Sequence, residues 1–377
     1  MRRVRVLAPY FAPAVDGGGP IRTLGALVRT APADVALEVV TRDRDLGAAE
    51  RLVVPTCPVV DGAVTIRYLD TRGVSGAWSL VGALRARPAP ELTYVNSVFD
   101  ARFSVLPLLL RRFGVMRSRR VLLAPRGELD PGALALGNRK KRCYLRAARA
   151  LGVFHGVTWH ASTEDEADHV RAAVGGRTRV VVRENETSLP DRARRRAPER
   201  GEVLELVTVG RISPKKRTHL LIEALADVRR RVRLQVVGPA IDTAYARRCL
   251  DAARRLPTNV EVAFTGTLEH DDVLECIARS HAMVTATAAE NFGHTVAETL
   301  SVGRPVLLPD TTPWSDRVRD GGGAVVDDGA WTATIESWAA MPAPELARRA
   351  GAAADVYDRW RSTVQQPHVF DLVFGDD

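Results

Sequence analysis

The chain has 377 residues, 46% of them apolar and 26% charged, with a net charge of +9. That length suits two domains of about 100–200 residues each rather than one core, and no apolar run reaches the ~18 residues of a membrane span. Aromatic residues are only 6% and no nucleic-acid motif is present, which argues against a base-stacking surface as the source of the charge.

The start, Met1-Arg2-Arg3-Val4-Arg5-Val6-Leu7-Ala8, is basic and then apolar. Its apolar run is too short for a signal peptide, is interrupted by Arg5, and reads as a first buried strand. Asp16-Gly17-Gly18-Gly19-Pro20 follows, before a helix at Ile21. Successive glycines there permit an anion-binding nest or close approach of a substrate. Short apolar runs at Val4–Ala8, Ala36–Thr41, Val64–Tyr68, Leu92–Val95 and Val121–Ala124 alternate with helical stretches. That is the βαβ rhythm of a doubly wound parallel sheet. His160-Ala161-Ser162-Thr163 is a strand end, with Ser162 or Thr163 capping a helix that bears Glu164 and Glu166.

Between about 186 and 202, proline and dense charge without an apolar period mark a linker. Strand-like runs resume at Leu204–Val209, Arg233–Val237, Val260–Phe264, Met283–Ala286, Pro305–Leu308 and Gly323–Val326, a second α/β half. The expected domains are 1–188, completed by a returning C-terminal helix over 355–377, and 202–354. The four cysteines have neither metal-ligand nor redox spacing, which fits reduced thiols in a cytoplasm. Asn185-Glu186-Thr187 has the form of a glycosylation sequon but carries no weight without a secretion signal.

Of the 54 basic residues only four are lysines, and they fall in two tandem pairs, Lys140-Lys141 and Lys215-Lys216. An ammonium is a compact point charge that guanidinium replaces poorly at a tight phosphate site. The second pair lies in Val209-Gly210-Arg211-Ile212-Ser213-Pro214-Lys215-Lys216-Arg217, between a strand and a helix through Leu220–Val228. Arg211 and Lys216 sit across a turn at Pro214 and can converge on one diphosphate. Positive charge opposes the dipole at a helix N-terminus, and that cost points to a bound anion.

The densest signal is Glu290-Asn291-Phe292-Gly293-His294-Thr295-Val296-Ala297-Glu298, then Gly303-Arg304-Pro305. The two carboxylates bracket a strand-to-helix turn. Gly293 lets the backbone approach a ligand, and the N–H groups of the helix that follows suit a phosphate. Glu298 can accept hydrogen bonds from a diol such as a ribose.

This segment resembles the signature of the family 4 retaining nucleotide-sugar glycosyltransferases, which have the GT-B fold: Glu, seven residues, Glu, then Gly-x-Pro. Leu308-Pro309-Asp310-Thr311-Thr312-Pro313-Trp314 is similar to members that build exopolysaccharides and other surface polymers. The resemblance is strong over 203–315 and moderate over 1–45 and 121–145. It implies two Rossmann-like domains facing across a cleft, the first for the acceptor and the second for the donor. It also implies retention of anomeric configuration, no cofactor and no metal. Glu290 inherits contacts to the donor sugar and Arg211 and Lys216 the diphosphate. Phe292, Gly293, His294 and Thr295 inherit sugar or phosphate contacts, and Glu298 the ribose. Gly18 and Gly19 inherit a place beside the donor pyrophosphate. Arg217 stands where the family often has Gly, either as a further phosphate contact or as a surface charge.

Asp43-Arg44-Asp45 has the spacing that holds a metal in the other major glycosyltransferase fold, but here reads as a structural or acceptor-side loop. Where many relatives have a His near the reacting carbon this chain has Arg126, which with Lys140 and Lys141 is an acceptor-side candidate. The function expected is sugar transfer from a nucleotide-sugar to a saccharide, lipid-linked saccharide or natural product. The alternatives are an epimerase or hydrolase of the same fold, or a basic nucleic-acid-binding protein. The surplus at Arg102, Arg111, Arg112, Arg117, Arg119, Arg120 and Arg139–Arg146, interleaved with Leu106–Leu110 and Phe113, can also rest on an anionic membrane at its inner face.

Overall fold

Short β-branched strands, each followed by a helix or turn, build two units. The computed structural model describes residues 1–116, 118–135, 139–199, 201–363 and 367–375. Arg117 and parts of the expected 355–377 helix (364–366 and 376–377) lie outside the described residues. Among the described residues no helix is long and apolar enough to cross a membrane.

The first unit comprises Met1–Ser188 and Pro367–Asp377. Its strands are β1 (Arg2–Leu7), β2 (Val35–Arg42), β3 (Val59–Asp61), β4 (Val64–Leu69), β5 (Leu92–Asn96), β6 (Arg120–Ala124), β7 (Val157–Ala161) and β8 (Val180–Val182). They pair in the order β3-β4-β2-β1-β5-β6-β7-β8, parallel except for β3 against β4. Both faces are covered, so the central strands are apolar on both sides. Tyr94 and Leu122 pack on one face with Val369, Phe370 and Val373. Val95 and Leu123, one residue on, pack on the other with Phe103, Leu145 and Trp159. Arg5, buried within β1, donates to Glu38 at 2.7 Å and to the Leu84 carbonyl at 2.9 Å. The register places Glu38 directly opposite it on β2.

The second unit, Leu189–Gln366, contains β9 (Leu204–Val209), β10 (Val232–Val237), β11 (Val260–Gly266), β12 (Ala282–Val284), β13 (Val306–Leu308) and β14 (Gly323–Val325). They form a wholly parallel sheet in the order β11-β10-β9-β12-β13-β14.

Two expectations change. The returning C-terminal helix is two helices. Ala343–Thr363 buries Ala353, Val356, Tyr357 and Trp360 in the second unit's core, and only Val369–Phe374 packs on the first sheet. The stretch read as a linker is irregular but attached to the second unit. Asp358 accepts from the Ala193 amide at 2.8 Å, and buried Arg304 donates to the Arg196 carbonyl at 2.5 Å.

Candidate functional site

Three loops leave the carboxyl ends of the adjacent strands β9, β12 and β13, where an open parallel sheet presents its ligand site. Backbone bonds tie them together. The Ala288 amide donates to the Lys215 carbonyl at 2.8 Å, and Thr311 Oγ1 donates to the Thr287 carbonyl at 2.8 Å. On the first loop, Gly210 has φ 146°, and a Cβ there would lie 3.3 Å from Lys216 Cε. Gly238, beyond β10, is closer packed still: its Cβ would fall 2.2 Å from the Gly210 carbonyl oxygen. These two glycines let the loop fold over so that the Lys216 stem lies along it.

Lys216 Nζ is 2.5 Å from Glu290 Oε2. Burial pushes the Glu290 carboxyl up, but the Lys216 ammonium, helped by Lys215 and His294, more than reverses this and holds it below the ordinary carboxylate range. The Arg211 guanidinium is exposed and makes no hydrogen bond or ion pair among the described residues. Arg217 is not a loose surface charge. It adopts a left-handed conformation, donates to the Ala286 carbonyl at 2.6 Å, and forks onto both oxygens of Asp328 at 2.8 and 2.9 Å.

Gly293 has φ 84° and precedes the helix His294–Ser301. A Cβ at Gly293 would lie 2.8 Å from Trp314 Cδ1. Trp314 is buried, donates Nε1–H to the Phe292 carbonyl at 2.5 Å, and packs on Trp360 with ring centroids 4.9 Å apart. The indole is thus a floor for the Phe292–Gly293 turn. Sequence reasoning assigned Trp314 no role; its only local signal is a tryptophan ending the Thr-Thr-Pro run. His294 and Thr295 are half-buried at the helix start, and Glu298, the fifth helical residue, is buried.

In the first unit, Gly18 (φ 68°) precedes the helix Gly19–Arg29, with open space where a Cβ would stand. Asp45 shapes the approach to this loop, accepting from the Val15 amide at 2.7 Å and the Leu46 amide at 2.7 Å. Asp43 pairs with Arg44 at 2.6 Å and Arg51 at 3.1 Å. Both carboxylates of the Asp-x-Asp therefore have structural partners.

Arg126, at φ 55°, donates to Asn96 at 2.7 Å, to the Tyr94 hydroxyl at 2.6 Å, and to Asn185. Tyr94 in turn donates to His160 Nδ1 at 3.0 Å, and His160 Nε2–H donates to the Arg183 carbonyl at 2.9 Å. Arg126 thus anchors a buried polar chain, and Asn185 of the sequon is buried within it. Glu166 completes the expected capping, accepting from the Ser162 amide at 2.7 Å while the Glu166 amide donates to Thr163 Oγ1 at 3.1 Å. Lys140 is exposed, and Lys141 Nζ sits 4.8 Å from the Phe99 ring centroid.

Residues 191–355, nearly all of the second unit, match the family model described as glycosyl transferases group 1. No curated protein matches the chain. Among solved structures, the sucrose-phosphate synthase (tll1590) of Thermosynechococcus elongatus aligns over 100% of both chains at 16% identity, with a TM-score of 0.74. Anabaena Alr3699/HepE, solved in complex with UDP-glucose, aligns over 99% of this chain and 100% of its own at 16% identity, TM-score 0.72. WaaG, a glycosyltransferase involved in lipopolysaccharide biosynthesis, aligns over 97% and 100% at 15% identity, TM-score 0.60. The fold is GT-B. At these identities the likeness is one of fold, built here from two parallel-sheet Rossmann-like units.

Proposed function

We propose that the protein is a retaining, metal-independent glycosyltransferase of family 4 type that uses a nucleotide-sugar donor. The observation that carries this reading is the Lys216–Glu290 pair, 2.5 Å apart at the carboxyl ends of neighbouring strands. It lies inside the stretch that matches glycosyl transferases group 1. In this reading the second unit binds the donor. Arg211 and Lys216 hold the diphosphate, the turn from Phe292 through Gly293 and His294 to Thr295 holds phosphate or sugar, and Glu298 takes the ribose. Glu290 addresses the hydroxyls of the sugar being transferred. Gly18 and Gly19 are the first unit's candidate anion contacts.

The reaction follows a front-face course. The bond from C1 to the diphosphate oxygen breaks, the acceptor oxygen bonds to C1 on the same face, and its proton passes to the departing phosphate. Arg211 and Lys216 stabilise the charge that develops there. The first unit takes the acceptor, a saccharide, lipid-linked saccharide or natural product, with Lys140, Lys141 and the Arg126 network as its candidate contacts. All four cysteines are free thiols, which supports a reducing cytoplasmic location.

A thermal-shift or mass-spectrometric screen against UDP, GDP, ADP and dTDP sugars tests this. UDP-glucose comes first, since HepE was solved with it. A ligand at a hundred times its Kd stabilises by about 2.7 kcal/mol and raises Tm measurably. A screen in which no nucleotide raises Tm contradicts the reading. Nucleotide release that needs no acceptor moves it to an epimerase or hydrolase.

A further inference from the structure

The positive charge of this chain is concentrated in one stretch of its sequence. Residues 101–150 hold 13 Lys and Arg against 2 Asp and Glu, a net +11, whereas the whole chain is +9, so everything else sums to −2. The helix Arg139–Ala150 contains no acidic residue. Its exposed Arg139, Arg142, Arg146 and Arg149, spaced three, four and three apart, lie along one side. Leu151, in the turn just after the helix, is 53% exposed.

Leu151 has an apolar neighbour. Arg112 Nε donates to the Leu151 carbonyl at 2.9 Å, and Arg111 donates to the carbonyls of His155 and Gly156 at 2.8 and 3.0 Å. These bonds stitch the turn after Arg112 to the turn after Ala150. On the first of these turns Phe113 is 69% and Val115 38% exposed. Between the two turns opens a groove of about 990 Å³, lined by Glu91, Arg111, Arg112, Met116, Arg119 and His155 among others. Both turns precede strands β6 and β7. They therefore lie at the opposite end of the sheet from the Gly17–Gly19 loop and Arg126, which follow their strands.

We infer that this surface docks the protein onto an anionic phospholipid bilayer, Phe113, Val115 and Leu151 entering the interface while the arginine stripe meets the headgroups. Exposed apolar side chains beside a dense run of arginines match a surface that is itself apolar beneath an anionic layer. A nucleic acid would use the charge but leave Val115 and Leu151 uncovered. The proposal supplies a partner for the enzyme and does not rest on the donor chemistry, because bilayer binding is read without any nucleotide-sugar.

The experiment is co-sedimentation of the full chain with phosphatidylcholine vesicles, with and without phosphatidylglycerol, at low and high salt. The wild type should pellet only with phosphatidylglycerol vesicles and be released by salt. Phe113→Ser with Leu151→Ser should lower partitioning about tenfold or more, and Arg142→Glu with Arg146→Glu should abolish it. Unchanged melting temperatures would show both variants folded. No pelleting of the wild type at low salt overturns the proposal. So does vesicle binding that the serine pair leaves intact, or binding to duplex DNA that matches vesicle binding in strength and is lost only in the glutamate pair.

Discussion

Lys216 Nζ and Glu290 Oε2 lie 2.5 Å apart, joining the loop beyond β9 to the loop beyond β12. Each side chain is about one-fifth to one-quarter exposed, at 24% and 21%. The pair therefore works in a partly desolvated place where charge interactions are weakly screened. Glu290 is ionised below the ordinary carboxylate range. A carboxylate with a lowered folded pKa stabilises above its unfolded value, and that stability is lost as pH falls through the folded value. Glu290→Gln should thus melt below the wild type at neutral pH, with the difference shrinking in acid. A difference that grew as pH fell would refute the sign.

The two carboxylates of the signature should separate in function. Glu298→Ala should weaken nucleotide binding, because the ribose is its proposed partner. Glu290→Gln should spare nucleotide binding and lower turnover, because its partner is the transferred sugar. Calorimetric titration of both variants with the preferred nucleoside diphosphate decides the matter. Equal loss of nucleotide in two folded variants would dissolve the division of roles.

Gly293 and Trp314 should behave as one unit. Gly293→Ala places a Cβ at φ 84° and 2.8 Å from the indole, so backbone strain and a clash together should cost about 1–3 kcal/mol. Trp314→Phe strips the donor from the Phe292 carbonyl and should also cost about 1–3 kcal/mol. Chemical denaturation measures both, and either variant matching the wild type in stability would remove the indole as the floor of the turn.

Buried histidines should make the first unit acid-sensitive. Burial pushes His160 down to about 3 and His368 down to about 4. Each stays neutral when folded while the unfolded chain takes up a proton below its ordinary value of about 6.5. Stability should therefore fall as pH drops from that value toward the folded pKa. His160→Gln should flatten part of this slope, and an identical slope in variant and wild type would count against it.

Much of the fold is legible in the sequence because both sheets are parallel, save β3 against β4, and covered, which writes strands as compact apolar runs. The runs at Leu92–Val95 and Leu204–Val209 become β5 and β9 nearly unaltered. Strands β3 and β8, the two edges of the first sheet, went unread; neither holds a fully buried residue. The Glu290 and Lys216 loops are legible because rare residues occur there in a fixed local order. What stays hidden is long-range. Arg217 finds Asp328, Arg126 finds Asn185, and Asp45 finds the Val15 amide, and no local spacing announces such partners. The split C-terminus is hidden likewise, since Tyr357 and Trp360 look the same whichever core they enter.

Lys216 and Arg211 are proposed to clamp a nucleoside diphosphate on the second unit. The direct measurement is a titration of the preferred nucleoside diphosphate into the wild type and into Lys216→Ala. Loss of one charge-assisted contact should cost about 1.5–3 kcal/mol, or roughly 10- to 150-fold in Kd. An affinity unchanged by Lys216→Ala would rule out the clamp.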